Sequence, residues 1–228
     1  MESVDSIRHN LTTIPAANFI CLCEGTAPAG YRHYEDVLKA GSHQEPDLMV
    51  DAKDAWTIMY TSGTTGKPKG VVRSHECNMA HYLLNNINTG VLPTDKPLLV
   101  MPTCHVNSVY YSFCYTCVTA PVMIYNSVSF DPEDLLKTIA AFKPTFTSLV
   151  PTHYVMLLGL PDAVKQKYDV SSMRQLLISS APARKELKLA IMDYFKSAEL
   201  WEAYGALPEI WAERTRTVIT TWWIAGKT

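Results

Sequence analysis

Residues 60–71, Tyr-Thr-Ser-Gly-Thr-Thr-Gly-Lys-Pro-Lys-Gly-Val, constrain this chain more than any other segment. They begin at the end of a predicted strand and contain three glycines, four Ser or Thr hydroxyls and two lysines. Glycines allow tight turns that bring backbone N–H groups close to an anion. Hydroxyls donate hydrogen bonds, and lysines add positive charge. This composition suits a triphosphate, although a surface turn rich in Gly, Ser and Thr has the same composition.

The spacing within this segment excludes one large class of nucleotide-binding loop. The Walker A pattern requires four residues between its glycines and a lysine followed by Ser or Thr. Here two residues separate Gly63 from Gly66, and Lys67 is followed by Pro68. The segment therefore disfavours the P-loop NTPase folds.

Predicted strands and helices alternate along the chain. Apolar, β-prone runs bounded by turn residues predict strands at residues 55–60 (interpreted as buried), 71–72, 98–101, 121–125, 145–150 and 176–179. Predicted helices cover residues 75–86, 107–118, 132–142, 153–160 and 183–197. In the first fifty residues we expect a strand at 19–22, a helix at 34–40 and a linker at 45–47. This alternation predicts an α/β fold with a largely parallel sheet flanked by helices.

The predicted helix after Asp131 has the clearest start signal. Asp131 suits the N-cap position, Pro132 the first helical position, and the following acids favour the first turn. The apolar side of this helix is predicted to consist of Leu135, Leu136, Ile139 and Phe142. Pro144 is expected to stop the helix.

Composition narrows the function classes. A 47% apolar and 18% charged chain is typical of a folded protein, and a net charge of −2 argues against nucleic-acid binding. No basic stretch leads into an apolar core, and no apolar run reaches the roughly 18 residues of a membrane span. We therefore expect a cytoplasmic protein with reduced cysteines. Cys114 and Cys117 have zinc-like spacing, but they lie in an aromatic run without a second ligand pair, so free thiols are favoured over a metal site.

The order of residues 61–70 resembles the phosphate-binding signature of the AMP-forming acyl-CoA synthetase, luciferase and peptide-synthetase adenylation superfamily. Val72 and His75 also fit this pattern. The resemblance implies that the ATP phosphates are bound by Thr61, Ser62, Gly63, Thr64, Thr65, Gly66, Lys67, Pro68, Lys69 and Gly70. It also implies that Thr65 lies near Mg2+.

Four later segments resemble the same superfamily in the expected order. Residues 101–107 resemble the segment that places a His or an aromatic residue near the acyl pocket, which implies that His105 borders the acid. Residues 150–152 resemble the turn before a pocket-lining helix. Residues 178–182 and 202–205 resemble the segments along the adenine. The implied adenine-binding residues are Ser180, Ala181, Pro182, Glu202, Ala203, Tyr204 and Gly205.

The residues alone leave alternatives open for the later segments. His105 and Tyr204 could equally be packed core residues, and Ser180 could belong to an ordinary turn after a strand. For residues 61–70 the specificity of the match favours phosphate binding.

The resemblance implies part of the large N-terminal domain of an adenylate-forming enzyme. Residues 1–50 are expected to form an incomplete N-terminal segment, and residues 51–205 an AMP-binding core. The implied reaction converts a carboxylic acid, Mg-ATP and coenzyme A into an acyl-CoA through an acyl-adenylate. The acid stays open among medium- or long-chain fatty acids, as in fatty acid metabolism, and aromatic acids.

The match fails after Gly205. Leu207 and Pro208 stand where the pattern has Thr and Glu, and residues 206–228 resemble no part of the family. No residue matches the family's later ribose-binding Asp or the Lys of its C-terminal domain. We therefore expect a section cut at both ends, with impaired catalysis and apolar surface that favours a partner or an oligomer. The alternative is a non-catalytic remnant that binds nucleotide or a partner.

Overall fold

A computed structural model describes residues 2–61, 67–127, 129–203 and 223–224. The chain divides into two compact units, residues 1–50 and 51–228.

The first unit is built from short elements. They are α1 (Glu2–Asp5), 3-10 turns at Arg8–Asn10 and Ala16–Asn18, β1 (Ile20–Cys21), β2 (Arg32–His33) and α2 (Tyr34–Ala40). The predicted strand at 19–22 is confirmed in the shorter form of β1, which pairs with β2 in parallel. The predicted helix at 34–40 is confirmed over its full length. It begins there because His33 Nδ1 accepts a hydrogen bond from the backbone N–H of Glu35 at 3.1 Å.

The second unit alternates strands and helices as the sequence predicts. Its strands are β3 (Ala55–Thr61), β4 (Lys69–Ser74), β5 (Pro97–Leu99), β6 (Met123–Ile124), β7 (Phe146–Leu149), β8 (Gln175–Ile178), β9 (Glu199–Glu202) and β10 (Trp223–Ile224). Its helices are α3 (His75–Thr89), α4 (Val106–Thr116), α5 (Pro132–Phe142), α6 (Pro151–Leu158), α7 (Asp162–Lys165) and α8 (Lys185–Tyr194).

The main sheet has the strand order β10-β9-β8-β7-β5-β6. Strands β9, β8, β7, β5 and β6 pair in parallel, and β10 pairs with β9 in antiparallel fashion. The register aligns Phe146 with Gln175, and Gln175 with Glu199. The predicted α/β fold with a mostly parallel sheet is therefore confirmed. Strand β9 is an addition, because its Glu-Leu-Trp-Glu sequence has no β-branched residue to signal it.

Helices cover both faces of this sheet. Alternate residues of a strand point to opposite faces, and β8 accordingly contributes Leu176 and Ile178 to one buried cluster and Leu177 to another. The first cluster also contains Leu135, Leu136 and Ile139 of α5, Tyr154 and Leu157 of α6, and Ile191 of α8. The second contains Tyr82 of α3 with Tyr111, Cys114 and Tyr115 of α4. The core strands are thus buried on both sides.

The start of α5 is confirmed, and one residue of its predicted apolar side is wrong. Asp131 Oδ1 accepts hydrogen bonds from the backbone N–H groups of Glu133 at 2.9 Å and Asp134 at 3.1 Å. Leu135, Leu136 and Ile139 are buried. Phe142, however, is 63% exposed. It lies in the last turn, just before Lys143 ends the helix in a left-handed conformation at φ 52°.

The expectation of a buried strand at 55–60 is also wrong in part. Strand β3 forms, but it pairs with β4 as an antiparallel hairpin separate from the main sheet. Ile58 and Tyr60 on β3, and Val72 opposite Ile58 on β4, are exposed. An antiparallel pair can leave one face uncovered, so an apolar run does not require burial on both sides.

Helix α3 has an inverted distribution of polarity. Its inward side buries Asn78, Asn85 and Asn86 beside Tyr82. Its exposed large apolar residues are Met79, Leu83, Leu84 and Ile87, the last of them 76% exposed. Among the described residues, no helix is long and apolar enough to cross a membrane.

Candidate functional site

The β3–β4 hairpin carries the predicted phosphate-binding segment. Thr61 pairs with Lys69, and Tyr60 pairs with Gly70, so the segment spans the two facing strand ends and the residues that join them. Ser62, Gly63, Thr64, Thr65 and Gly66 lie outside the described residues, and with them the implied Mg2+ position at Thr65. Lys67, Pro68, Lys69 and Gly70 are exposed.

Gly70 is required by packing within the hairpin. A Cβ atom at this position would lie 2.9 Å from Ile58 Cγ2 and 3.5 Å from the Tyr60 ring. The Ile58 methyl group is fixed close to the backbone, so a side chain at position 70 would displace it. The sequence predicts this glycine from its place in the phosphate-binding signature, and the structure adds a cross-strand reason for it.

Aromatic packing fixes the hairpin against α3 and α4. The Trp56 ring stacks on His75 with ring centroids 5.2 Å apart, and it meets Phe113 edge to face at 4.7 Å. Asn78 Nδ2 donates to Thr57 Oγ1 at 3.3 Å. Ser74 caps α3 by accepting a hydrogen bond from the Cys77 N–H at 3.2 Å. These contacts fix the base of the hairpin on the helices that cover one face of the sheet.

A cleft of about 470 Å³ separates β3 from the start of α4. Residues 57–60 line one side, and Cys104, His105, Val106 and Val109 line the other. His105 is exposed, so the alternative of a packed core histidine is wrong. His105 also caps α4, because its Nδ1 accepts a hydrogen bond from the Asn107 N–H at 3.3 Å. Its role at an acyl pocket stays a prediction.

The predicted adenine-binding segments lie together at the carboxyl edge of the sheet. Parallel strands end at a common edge, where open α/β sheets bind their ligands. The backbone N–H of Ser179 donates to Leu149 O at 3.3 Å, and that of Ala203 donates to Ile178 O at 3.0 Å. The structure therefore places the turn with Ser180, Ala181 and Pro182 and the end of β9 with Glu202 and Ala203 at this edge. Tyr204 and Gly205 lie outside the described residues.

Two features at this edge were not predicted. Ser180 has a left-handed backbone with φ 72°, a conformation that usually requires glycine. No glycine at this position signals the conformation in the sequence. Glu202 forms an ion pair with Lys188 of α8, with Nζ 2.6 Å from Oε2. The carboxylate therefore already has a cationic partner within the fold.

Asn107 lies beside the candidate site, and no sequence pattern singles it out. It is 9% exposed, and its Nδ2 donates to Ser148 Oγ at 2.8 Å and to Ser179 Oγ at 3.1 Å. These bonds connect the start of α4 to β7 and to the residue after β8. A lone asparagine in an aromatic run gives no sequence signal for such a bridge.

Helix α6 follows β7 at the same edge and carries a histidine in its first turn. The His153 ring stacks on Phe130 with centroids 3.9 Å apart. Its Nδ1 is buried and has no hydrogen-bond partner in the described part of the chain. Burial lowers the pKa of His153, which favours the neutral ring.

The cysteines are free thiols. All six lie within the described residues, and Cys114 is buried whereas Cys117 is exposed. Burial raises the pKa of the Cys114 thiol. Across residues 2–61, 67–127, 129–203 and 223–224, no group of three metal-ligating side chains is close enough to hold an ion.

Comparison with protein families and curated sequences gives consistent matches. The family model described as AMP-binding enzyme matches residues 10–206. The chain is 30% identical over 192 residues to 4-coumarate–CoA ligase 2 of Petroselinum crispum, covering 82% of this chain and 35% of that protein. It is 31% identical over 186 residues to the long-chain-fatty-acid–CoA ligase of Thermus thermophilus, covering 81% of this chain and 33% of that protein. The chain thus spans about a third of the length of these relatives.

Solved structures share the fold. The anthranilate CoA ligase AuaEII in complex with anthranoyl-AMP superposes with a TM-score of 0.80 at 24% identity, covering 89% of this chain and 38% of that chain. The ATP-bound MatB of Rhodopseudomonas palustris gives a TM-score of 0.65 at 27% identity, covering 76% of this chain and 33% of that one.

Proposed function

This chain belongs to the family of AMP-binding enzymes, and we propose that it functions in the ATP-dependent activation of a carboxylic acid to an acyl-CoA. In the first step a carboxylate oxygen attacks the α-phosphorus of Mg-ATP, and the bond to pyrophosphate breaks. In the second step the thiol sulfur of coenzyme A attacks the acyl carbon, and AMP leaves. The observation that carries the proposal is that the hairpin bearing the phosphate-binding sequence borders the same cleft as His105.

We propose that the hairpin binds the β- and γ-phosphates. The supporting features are the exposed cation of Lys67 and the antiparallel pairing of Thr61 with Lys69 at the base of the glycine-rich sequence. Thr61, Ser62, Thr64 and Thr65 would donate hydroxyl hydrogen bonds, and Thr65 would lie nearest to the Mg2+ that accompanies ATP. Catalysis in such a step consists mainly of positioning and charge neutralisation.

We propose that the adenine lies along the carboxyl edge. Ser180, Ala181 and Pro182 would face one side of the base, with Ala203, Tyr204 and Gly205 on the other. The special backbone of Ser180 and the Ala203–Ile178 hydrogen bond support this arrangement, because both fix the turn before a ligand arrives. Glu202, which is ion-paired with Lys188, would lie beside the adenine.

The cleft beside His105 favours an apolar acid. Ile58, Met59, Tyr60, Val106 and Val109 supply mostly apolar surface, and His105 supplies a polar group. The relatives named for 4-coumarate and for long-chain fatty acids, and the neighbour bound to anthranoyl-AMP, support aromatic and fatty acids as the classes to test. We propose an aromatic acid first, since the relative from Petroselinum crispum is named for 4-coumarate and the neighbour with a TM-score of 0.80 is bound to anthranoyl-AMP.

We also propose that residues 51–205 form the AMP-binding core. Asp51 opens the second compact unit, and the family match ends at residue 206. The free cysteines favour a cytoplasmic location, where thiols stay reduced and ATP is abundant.

The test is ATP–pyrophosphate exchange with the purified chain and a panel of 4-coumarate, anthranilate, octanoate and palmitate. We expect exchange with at least one acid. Lys67→Ala should lower the exchange by about ten- to a hundredfold, as expected for the loss of one charge-neutralising group. Lys137→Ala on the exposed side of α5 is the matched control and should leave the rate unchanged.

Two other outcomes of this assay would contradict or change the proposal. A folded chain without exchange for any acid would contradict the enzyme proposal. ATP binding that persists in that chain would then favour a non-catalytic nucleotide-binding module.

A further inference from the structure

The amide of Asn107 joins three segments that are far apart in sequence. Its Nδ2 donates hydrogen bonds to Ser148 Oγ on β7 at 2.8 Å and to Ser179 Oγ, just after β8, at 3.1 Å. The three residues are separated by 41 and 72 positions. The side chain is 9% exposed, and both of its N–H donors are used within the fold. The amide is therefore an internal bridge between segments and does not contact a ligand.

The backbone of the same residue controls the ring of His105. The Asn107 N–H donates to His105 Nδ1 at 3.3 Å, so this nitrogen must present its lone pair. A neutral imidazole carries one proton, which then lies on Nε2. The hydrogen bond is longer than the usual N–H···N or N–H···O distance, so it depends on the first turn of α4 staying in place.

The other end of the bridge reaches the turn proposed to bind adenine. Ser179 directly precedes Ser180, whose φ is 72°. The Ser179 N–H also donates to Leu149 O at 3.3 Å. Loss of the Asn107 amide would therefore release both the helix start that carries His105 and the residue before the left-handed turn.

We propose that Asn107 is a positioning residue that fixes His105 as the Nε2–H tautomer at the cleft and holds it in register with the Ser180 turn. This inference rests on the proposed function for its meaning in catalysis. Its structural part, the tautomer and the register, stands on the hydrogen bonds alone. Misplacement of reacting groups by about 1 Å can lower a rate by about a hundredfold, so loss of this bridge should lower kcat.

The first readout is the nitrogen NMR spectrum of the His105 ring in the full chain, assigned by its loss in His105→Gln. In the wild type we expect the two widely separated nitrogen shifts of a single Nε2–H tautomer. Asn107→Ala should bring the shifts together, as rapid exchange between tautomers does. Asn85→Ala is the matched control, since Asn85 is 3% exposed and its amide donates within α3, to Asn86 Oδ1 and to Thr89 Oγ1, both at 3.4 Å. It should leave the His105 signals unchanged.

Two further variants keep the test decisive if Asn107→Ala folds poorly. Ser179→Ala removes one arm of the bridge and keeps the other, so an intermediate shift is expected. Asn107→Asp can accept hydrogen bonds from both serine hydroxyls, which rotate to donate. It should return the His105 signals toward the wild-type pattern.

The second readout is ATP–pyrophosphate exchange with the preferred acid. Positioning predicts that Asn107→Ala lowers kcat by about ten- to a hundredfold with KM for ATP changed less than threefold, and that Asn85→Ala keeps wild-type kcat. A wild-type chain without exchange would overturn the proposed function, while the NMR signals would still decide the tautomer and the register. An unchanged His105 spectrum in Asn107→Ala and Ser179→Ala would overturn the inference, even where both variants lose stability.

Discussion

Arg174 and Asp95 form a two-point ion pair near the start of β8, at the opposite end from the carboxyl edge. Arg174 Nε lies 3.1 Å from Asp95 Oδ1, and one terminal nitrogen lies 2.5 Å from Oδ2. Asp95 is 2% exposed and also accepts hydrogen bonds from Thr145 Oγ1 at 2.9 Å and from the Leu92 N–H at 2.8 Å. The pair fastens the loop before β5 to the start of β8.

Removing the arginine should therefore be costly. Arg174→Ala leaves a buried carboxylate without its cation, and we expect a loss of about 2–4 kcal/mol in the free energy of unfolding, since the guanidinium itself is partly exposed. Urea denaturation followed by tryptophan fluorescence measures the change. Asp162→Ala is the control and should cost less than about 1 kcal/mol, because the Asp162 side chain, which pairs with Lys165, is 83% exposed. Equal losses in the two variants would contradict the assignment.

The backbone of Ser180 predicts an unusual order of substitutions. Glycine adopts φ 72° without steric cost, whereas a β-branched residue is strongly disfavoured there. We expect Ser180→Gly to keep the melting temperature and Ser180→Val to lower the free energy of unfolding by about 1–3 kcal/mol. Thermal unfolding measures both.

Ser197 supplies the comparison for this series. It is exposed and is not among the described residues with positive φ. Ser197→Val should therefore be close to neutral. If Ser180→Val is neutral as well, the left-handed turn is not present in solution.

Two half-buried histidines predict a decline of stability on mild acidification. Burial lowers the pKa of His153, and burial together with Arg73 lowers the pKa of His81. Each group binds its proton more readily in the unfolded chain. The free energy of unfolding should therefore be highest above pH 6.5, the ordinary histidine pKa, and fall as the pH drops below it.

The two histidines can be separated by substitution. His153→Gln and His81→Gln should each flatten part of the decline between pH 6.5 and pH 5.5, measured as urea midpoints. His9 is exposed, so His9→Gln is the control and should keep the full slope. A slope that survives in the double variant would contradict the assignment.

The exposed apolar side of α3 predicts self-association or binding to a partner. Met79, Leu83 and Ile87 recur at the spacing of one helix face and are exposed. We expect light scattering to report species larger than a monomer. Leu83→Gln with Ile87→Gln should shift the distribution toward monomer without lowering the melting temperature. Leu189→Gln, at an exposed leucine of α8, should not. A monodisperse wild-type monomer would contradict self-association.

Much of the fold could be predicted from the sequence because its signals are local. The cap at Asp131, the helix Tyr34–Ala40 and the short buried strands β5, β7 and β8 depend on neighbouring residues in the chain. The parallel sheet then follows from the alternation of these elements. The sequence predicts strands at residues 55–60 and 71–72, on either side of the glycine-rich segment, and β3 and β4 confirm both, whereas their pairing as a hairpin was not predicted.

The remaining features depend on contacts that no local pattern records. The inward side of α3 consists of three asparagines and Tyr82, so hydrophobic periodicity would point this helix the wrong way. Asn86 lies there because its amide reaches a carbonyl group of α4. The Asn107 bridge spans residues that are distant in sequence, and the left-handed Ser180 carries no glycine to signal it.

Gly70 has a consequence for how chains of this kind are recognised. Its absent side chain makes room for Ile58, so selection for a folded hairpin alone would retain it after nucleotide chemistry had been lost. Gly70 therefore indicates that the hairpin is kept, and it does not by itself indicate that the chain binds nucleotide. In a survey of divergent sequences, the residues of the loop between the two strands should distinguish active enzymes from inactive homologues better than Gly70 does.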